Sequence, residues 1–63
     1  MDYTVEQVAE EGYRRYIEVE RGSYWEYEDA LDKARRMMGW FLKGGMDLDA
    51  AADELAGTLY MEE

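Results

Sequence analysis

The chain has 63 residues, 48% of them hydrophobic, and a formal net charge of −9. It contains no cysteine and no histidine, which excludes disulfide bonds and the most common zinc sites. A chain of this length forms one small domain, here residues 1–63, and buries about 60% of the surface that its unfolded form exposes. Neither a signal-peptide pattern nor an apolar run long enough to span a bilayer is present, so the expected location is the cytoplasm.

The first predicted helix covers about residues 5–21. In "TVEQ" the side chain of Thr4 can accept the backbone N–H of Gln7 while Gln7 reaches back, which is the pattern of a capping box. Apolar side chains then recur at steps of three and four, as expected for one face of a helix. This face comprises Val5, Val8, Ala9, Tyr13, Tyr16 and Ile17, with Gly12 in the same stripe.

The second predicted helix covers about residues 24–43. The stretch "SYWE" repeats the capping-box pattern with Ser23 and Glu26. The apolar residues of this helix form an arc of roughly 140°, which is wide enough to contact two neighbouring helices. They are Tyr27, Ala30, Leu31, Ala34, Met37, Met38, Phe41 and Leu42.

The third predicted helix covers about residues 48–60. Asp47 in "GGMDLDAAADEL" is the expected N-cap, and Asp49 lies in the first turn, where a carboxylate favours the helix dipole. Gly57 leaves two possibilities, because it can end the helix at Ala56 or lie inside it at a cost of about 1 kcal/mol. The predicted apolar face is rich in alanine, which allows backbones to approach closely; it comprises Leu48, Ala51, Ala52, Leu55 and Leu59.

Connections of only a few residues make consecutive helices antiparallel. The predicted fold is therefore an all-α three-helix bundle with up-down-up topology, in which the first and third helices begin at the same end. Residues 1–13 carry a charge of −4, residues 14–43 carry +1 and residues 44–63 carry −6. We expect the two acidic segments to form one common surface, made by Asp2, Glu6, Glu10, Asp47, Asp49, Asp53 and Glu54.

No arrangement of residues predicts catalysis. Without histidine or cysteine the nucleophile would be Ser23, Thr4 or Thr58, and the first two are explained as helix caps. Paired carboxylates need a partly dry pocket, for which a bundle this small has little room. The stretch "DLDAAADE" lacks the ligand spacing of a calcium loop. We therefore predict no enzymatic activity, no catalytic residue, no metal site and no cofactor.

The basic residues alternate with acids at helical spacing, as in Glu10 with Arg14, and do not form a track for phosphates. An acidic protein repels nucleic acid and anionic membranes and attracts basic partners. The expected partner is therefore a larger protein with a basic surface. Direct binding of nucleic acid or of a membrane is not expected.

Two tryptophans lie outside the apolar arc of the second helix. Trp40 is about 60° beyond Met37, and Trp25 is roughly 60° further around. Trp40 either packs at the rim of the core, against Met37 and Arg36, or anchors a partner, since Trp, Tyr and Arg dominate interface hot spots. Trp40, Trp25 and Arg36 are thus candidate contact residues, with Trp25 the weaker because it can pack against the preceding loop. The tyrosines at positions 13, 16, 24 and 27 are expected mainly to pack in the core.

The acidic surface either serves solubility alone or imitates a phosphate backbone, since carboxylates four residues apart stand about 6 Å apart along a helix axis. In size, charge and helical simplicity the chain resembles the small acidic proteins that phages and other mobile elements encode against host defences, notably anti-CRISPR proteins. "MDLDAAADE" and "TVEQVAEE" carry this resemblance. It implies an inhibitor of a CRISPR effector or another defence complex in the cytoplasm of a host cell.

The leading hypothesis is a small inhibitor that occupies a basic, nucleic-acid-binding surface of a larger protein, steered by the acidic residues and held by Trp40. A second hypothesis is a homodimeric structural or regulatory module, joined through Met37, Trp40 and the alanine-rich third helix. A third is an acidic, antitoxin-like partner that is partly unfolded when alone.

Overall fold

A computed structural model describes residues 3–21 and 24–63 of the chain. These residues form three helices: α1 (Val5–Val19), α2 (Tyr27–Lys43) and α3 (Leu48–Met61). The helices pack on one another in a body of 33 × 17 × 17 Å, so the predicted all-α three-helix bundle is confirmed. Within the described ranges, none of the helices combines the length and apolar character that crossing a membrane requires.

The caps of α1 and α3 are those that the sequence predicts. The Gln7 N–H donates to Thr4 Oγ1 at 3.2 Å, and the Thr4 N–H donates to Gln7 Oε1 at 2.7 Å. At the start of α3, the Ala50 N–H donates to the side chain of Asp47 at 2.8 Å. This helix continues through Gly57 to Met61, so the glycine lies inside α3 and does not end it.

The start of α2 differs from the prediction. Ser23, the expected cap, lies outside the described residues, and α2 begins at Tyr27 with Glu26 as its N-cap. The Glu26 N–H donates to the Asp29 side chain at 2.9 Å. The N–H groups of residues 24 and 25 both donate to the hydroxyl of Tyr16 on α1, which holds this segment outside the helix. Contacts with α1 therefore override the local capping pattern.

Helices α1 and α3 run parallel, as up-down-up topology requires. Near their first residues, the Tyr3 hydroxyl donates to the Met46 carbonyl at 2.7 Å. Near their last residues, Val19 and Tyr60 line one groove. Between these ends Gly12 is buried against α3, where a Cβ at this position would lie 3.1 Å from both the carbonyl oxygen of Ala52 and the Cβ of Leu55. The absence of a side chain at residue 12 therefore sets how closely these two helices approach.

Small side chains let all three helices approach one another around a narrow core. The core confirms most of the predicted apolar faces and consists of Tyr3, Val8, Ala9, Tyr16, Ala30, Ala34, Met37, Phe41, Ala51, Leu55 and Leu59. Two residues placed on those faces are exposed instead, Ile17 at 37% and Leu42 at 42%. Each helix of this bundle has only two neighbours, so a side chain at the edge of an apolar stripe remains in solvent.

Replacing Gly12 by alanine tests the close contact of α1 with α3. Alanine favours a helix over glycine by about 1 kcal/mol, yet a methyl group here would lie 2.7 Å from Leu55 Cδ2 and overpack the core. We expect Gly12→Ala to lower the free energy of unfolding by about 1–3 kcal/mol, as measured by urea denaturation followed by circular dichroism.

The matched control is Gly39→Ala on the exposed side of α2, where an added Cβ would meet no atom within 4 Å. This substitution should raise the free energy of unfolding by about 0.5–1 kcal/mol. If Gly12→Ala stabilised the protein as Gly39→Ala does, the proposed close contact would be wrong.

Candidate protein-binding surface

An acidic cluster with one central cation lies where α1 meets the first half of α3. Arg15 Nη2 donates to Asp49 Oδ1 at 2.6 Å, and Arg15 Nη1 donates to the Asp49 carbonyl at 3.0 Å. Glu11 lies 3.4 Å and Asp53 lies 4.0 Å from the same guanidinium. We call these four residues the Arg15 cluster. Arg14 also pairs with Glu11, so three carboxylates meet two guanidinium groups here and the local charge remains negative.

The carboxylates of this cluster on α3 are open to solvent. The side chains of Asp49 and Asp53 are each 83% exposed, whereas the side chain of Arg15 is 25% exposed. The hydrogen bond from Arg14 is the main cause that lowers the pKa of Glu11, and the hydrogen bond to Asp49 raises the pKa of Arg15. Both shifts favour the charged forms of Glu11 and Arg15, and the cation is covered by acids.

Glu6 and Glu10 do not join this cluster, which corrects the expectation of one common acidic surface. Both residues are exposed on α1. At roughly 100° per residue, Glu10 points about 140° away from Arg15 and Glu6 about 180° away. Because α1 and α3 begin at the same end of the bundle, their first turns lie at the same height. Which side chains of α1 face α3 depends on their position relative to the apolar stripe of α1. Asp2, the remaining acid of the expected surface, lies outside the described residues.

Trp40 and Glu54 lie along a second flank of α3, beside α2. Lys33 of α2 forms an ion pair with Glu62 just beyond α3, and Trp40 follows Lys33 by two helical turns on the same side of α2. Glu54 precedes Glu62 by two steps of four residues, so it lies toward the side of α3 that faces α2. The outer face of α3 therefore separates Asp49 and Asp53 from Trp40 and Glu54.

The side chain of Trp40 is largely available for contact. It is 53% exposed, and its ring stacks beside Phe41 with centroids 6.3 Å apart and planes 20° apart. Arg36 does not serve as a partner for this ring, because its guanidinium is 3.0 Å from Asp32 on the same helix. Trp40 is thus a mostly exposed side chain beside the core, and the predicted stacking of Arg36 on its ring is absent.

Trp25 has a structural role, which corrects its assignment as a partner-binding residue. Its Nε1 donates to the Leu59 carbonyl of α3 at 2.8 Å, and its own carbonyl accepts the Tyr13 hydroxyl at 2.8 Å. The side chain is partly buried and packs against the core. It therefore joins the segment before α2 to both of the other helices.

Tyr16 holds together three parts of the chain, a role that its position in the apolar stripe did not reveal. Its side chain is 1% exposed. Its hydroxyl accepts the N–H groups of Tyr24 at 3.0 Å and Trp25 at 3.2 Å, and it donates to the Glu63 carboxylate. Burial is the main cause that raises the pKa of Tyr16, so the hydroxyl keeps its proton at neutral pH.

The carboxyl of Glu20 lies beside the carboxyl of Glu63. A hydrogen bond with Glu63 is the main cause that raises the pKa of Glu20, because the neutral carboxyl of Glu20 can donate to its neighbour. The raised pKa means that folding favours the protonated form of Glu20. This contribution to stability is therefore fully present below the pKa that Glu20 has in the unfolded chain. It is lost as pH rises through the raised pKa that Glu20 has in the folded protein.

Replacing Tyr16 by phenylalanine tests the importance of its hydroxyl. The substitution keeps the ring but leaves two backbone N–H groups of the segment before α2 without their acceptor. We expect Tyr16→Phe to lower the free energy of unfolding by about 1–3 kcal/mol, measured in urea. Tyr24→Phe is the control, since the Tyr24 side chain is 65% exposed and should change stability by less than about 0.5 kcal/mol. Equal effects of the two substitutions would contradict the role of Tyr16.

Within the described residues, no group of three or more acidic side chains is arranged to hold a metal ion. Comparison of the chain with protein-family models, with curated proteins and with solved structures found no match. The surface itself is therefore the basis on which a function can be argued.

Proposed function

We propose that the protein is a small acidic inhibitor that covers a basic, nucleic-acid-binding surface of a larger protein with the outer face of α3. The observation that carries the proposal is the exposure of Asp49 and Asp53, whose side chains are each 83% accessible. Residues 44–63 contain no basic residue. A partner that approaches α3 therefore meets a surface on which acidic side chains predominate, which favours a basic partner.

The spacing of these carboxylates suits a surface that binds phosphates. Asp49 and Asp53 are one turn apart on α3 and so stand about 6 Å apart along the helix axis, close to the spacing of phosphates along a strand. Arg15 does not cancel this charge, because its single guanidinium faces both exposed carboxylates, Asp49 and Asp53. The cluster thus attracts cations even though it contains one.

Trp40 supplies the apolar contact that electrostatic attraction alone does not. Charges at the rim of an interface mainly increase the association rate, whereas buried aromatic anchors slow dissociation. Trp40 lies on α2, on the side from which Lys33 pairs with Glu62, whereas Asp49 and Asp53 lie on the side of α3 that meets Arg15 of α1. A partner that covers the outer face of α3 therefore reaches both kinds of contact.

The alternative of a homodimer joined through Met37, Trp40 and the alanines of α3 is less well supported. Met37 is 8% exposed, and Ala51 and Ala52 are fully buried in the monomer. These side chains pack inside the bundle and leave Trp40, Ala50 and the partly buried Ala56 for such a seam. In its more specific form, our proposal is that the partner is a CRISPR effector or another defence complex in the cytoplasm of a host cell, as the resemblance in size and charge implies.

The proposal can be tested with two double variants that change the net charge equally on different faces. Asp49→Asn with Asp53→Asn removes the exposed acids of α3, whereas Glu6→Gln with Glu10→Gln removes two acids of α1 that point elsewhere. Host-cell proteins captured on each variant are then measured for affinity and for nucleic-acid binding. We expect the α3 variant to bind about tenfold more weakly at low salt, and the α1 variant to bind as the wild type does.

Two further measurements test whether the protein inhibits nucleic-acid binding by its partner. The wild-type protein should displace nucleic acid from its partner, and Trp40→Ala should weaken displacement by about tenfold or more through faster dissociation. A captured partner that still binds nucleic acid when saturated with this protein would contradict the proposal. So would equal losses of affinity in the two double variants, because net charge alone would then explain binding.

A further inference from the structure

A groove lies between the C-terminal halves of α1 and α3. Its volume is about 240 Å³, and it is lined by Arg15, Tyr16, Val19, Asp53, Ala56, Gly57 and Tyr60. Two of its apolar side chains are well exposed, Val19 at 69% and Tyr60 at 51%. The groove thus has apolar walls that are open to solvent, and it lies beside the Arg15 cluster.

Gly57 keeps the groove open. It lies inside α3, where a Cβ at this position would meet no atom within 4 Å, so the fold does not require a glycine there. Any larger side chain would favour the helix and would project into free space beside Val19 and Tyr60. The glycine therefore contributes an accessible stretch of helix surface and does not serve packing within the protein.

The surroundings of the groove are acidic at both ends. At one end Asp53 and Arg15 both line the groove, and Arg15 is bonded in turn to the exposed carboxylate of Asp49. At the other end Tyr16 donates to the carboxylate of Glu63. When a partner inserts an apolar side chain into the groove, binding is therefore favoured by positively charged residues before and after that side chain in the partner.

We propose that this groove receives one apolar side chain from a basic helical segment of the partner, with lysines or arginines one turn before and after that side chain. The proposal rests on the function proposed above and names the element that binds. The volume is below the roughly 300–1,000 Å³ of small-molecule pockets, so it suits one side chain and not a whole ligand. A helix laid into a groove between helices is a common mode of recognition.

A second copy of this chain fits the groove less well. The net charge of −9 makes two copies repel each other. In α2 the exposed Trp40 lies between Arg36 and Lys43, but Arg36 is already paired with Asp32 of its own helix at 3.0 Å. A basic segment removes this repulsion, and its charges match the two ends. The partner segment is therefore distinguished by its chemistry: basic flanks around a single large apolar residue.

The probe for a test is a synthetic helical peptide with one central phenylalanine between lysines, together with the same peptide carrying alanine in place of phenylalanine. Binding is measured by fluorescence anisotropy, and its position by amide shifts in ¹⁵N NMR spectra. We expect the phenylalanine peptide to shift the amides of Val19, Gly57 and Tyr60 and to bind about tenfold more tightly than the alanine peptide.

Gly57→Leu fills the groove without a packing penalty, and Gly39→Leu is its matched control on α2, since neither position has an atom within 4 Å of an added Cβ. We expect Gly57→Leu to weaken binding of the phenylalanine peptide by about tenfold and Gly39→Leu to leave it unchanged. Equal binding of both peptides, or an unaffected Gly57→Leu variant, overturns the groove proposal.

The same titrations separate this inference from the proposed function. If both peptides bind equally and salt weakens both, the acidic face of α3 attracts basic segments and only the groove is wrong. If neither peptide shifts any amide of α3 at low salt, the groove and the proposed function both fail. Shifts of Val19 and Tyr60 that appear on concentrating the protein alone would assign the groove to a second copy and overturn the proposal.

Discussion

The contact of α1 with α3 at Gly12 is the constraint on which the rest of the molecule depends. A side chain at residue 12 would lie against the backbone of Ala52 and the side chain of Leu55, so a larger residue would force the helices apart. Because α1 and α3 lie this close and run parallel, Arg15 can reach Asp49 and Asp53. The direction of the exposed carboxylates, and the groove beyond them, both follow from this packing.

Hydrogen bonds from aromatic side chains secure the ends of the bundle, where a small core offers little apolar contact. Tyr3 bonds to the turn before α3, Trp25 bonds to the last part of α3, and Tyr16 accepts two N–H groups from the segment before α2. Each of these side chains is at least partly buried, and each polar atom has a partner. Such residues contribute apolar area and a satisfied polar group at once, which suits a chain too short for a large core.

The sequence predicts the local features of this fold better than the tertiary ones. Helix existence follows from the apolar periodicity, and the caps at Thr4 and Asp47 follow from side chains that bond to their own turn. The start of α2 was predicted too early, because Tyr16 binds N–H groups that a local pattern assigns to a helix. The direction of Glu6 and Glu10 and the internal bond of Trp25 depend on helix register and on distant residues, which no short stretch encodes.

We propose a protein-binding role rather than a purely structural one, because α3 carries exposed carboxylates, a tryptophan is exposed on one flank and an apolar groove lies on the other. All three features depend on α3 lying parallel to α1 with Gly12 at the contact. The most direct measurement is a nuclear Overhauser spectrum of the protein in solution. It should show a strong signal between the Gly12 α protons and the Leu55 methyl groups, with a second signal between the Tyr3 ring and Met46. Signals from Gly12 to the last residues of α3, or none from Gly12 to α3, would contradict the parallel packing and the surface built on it.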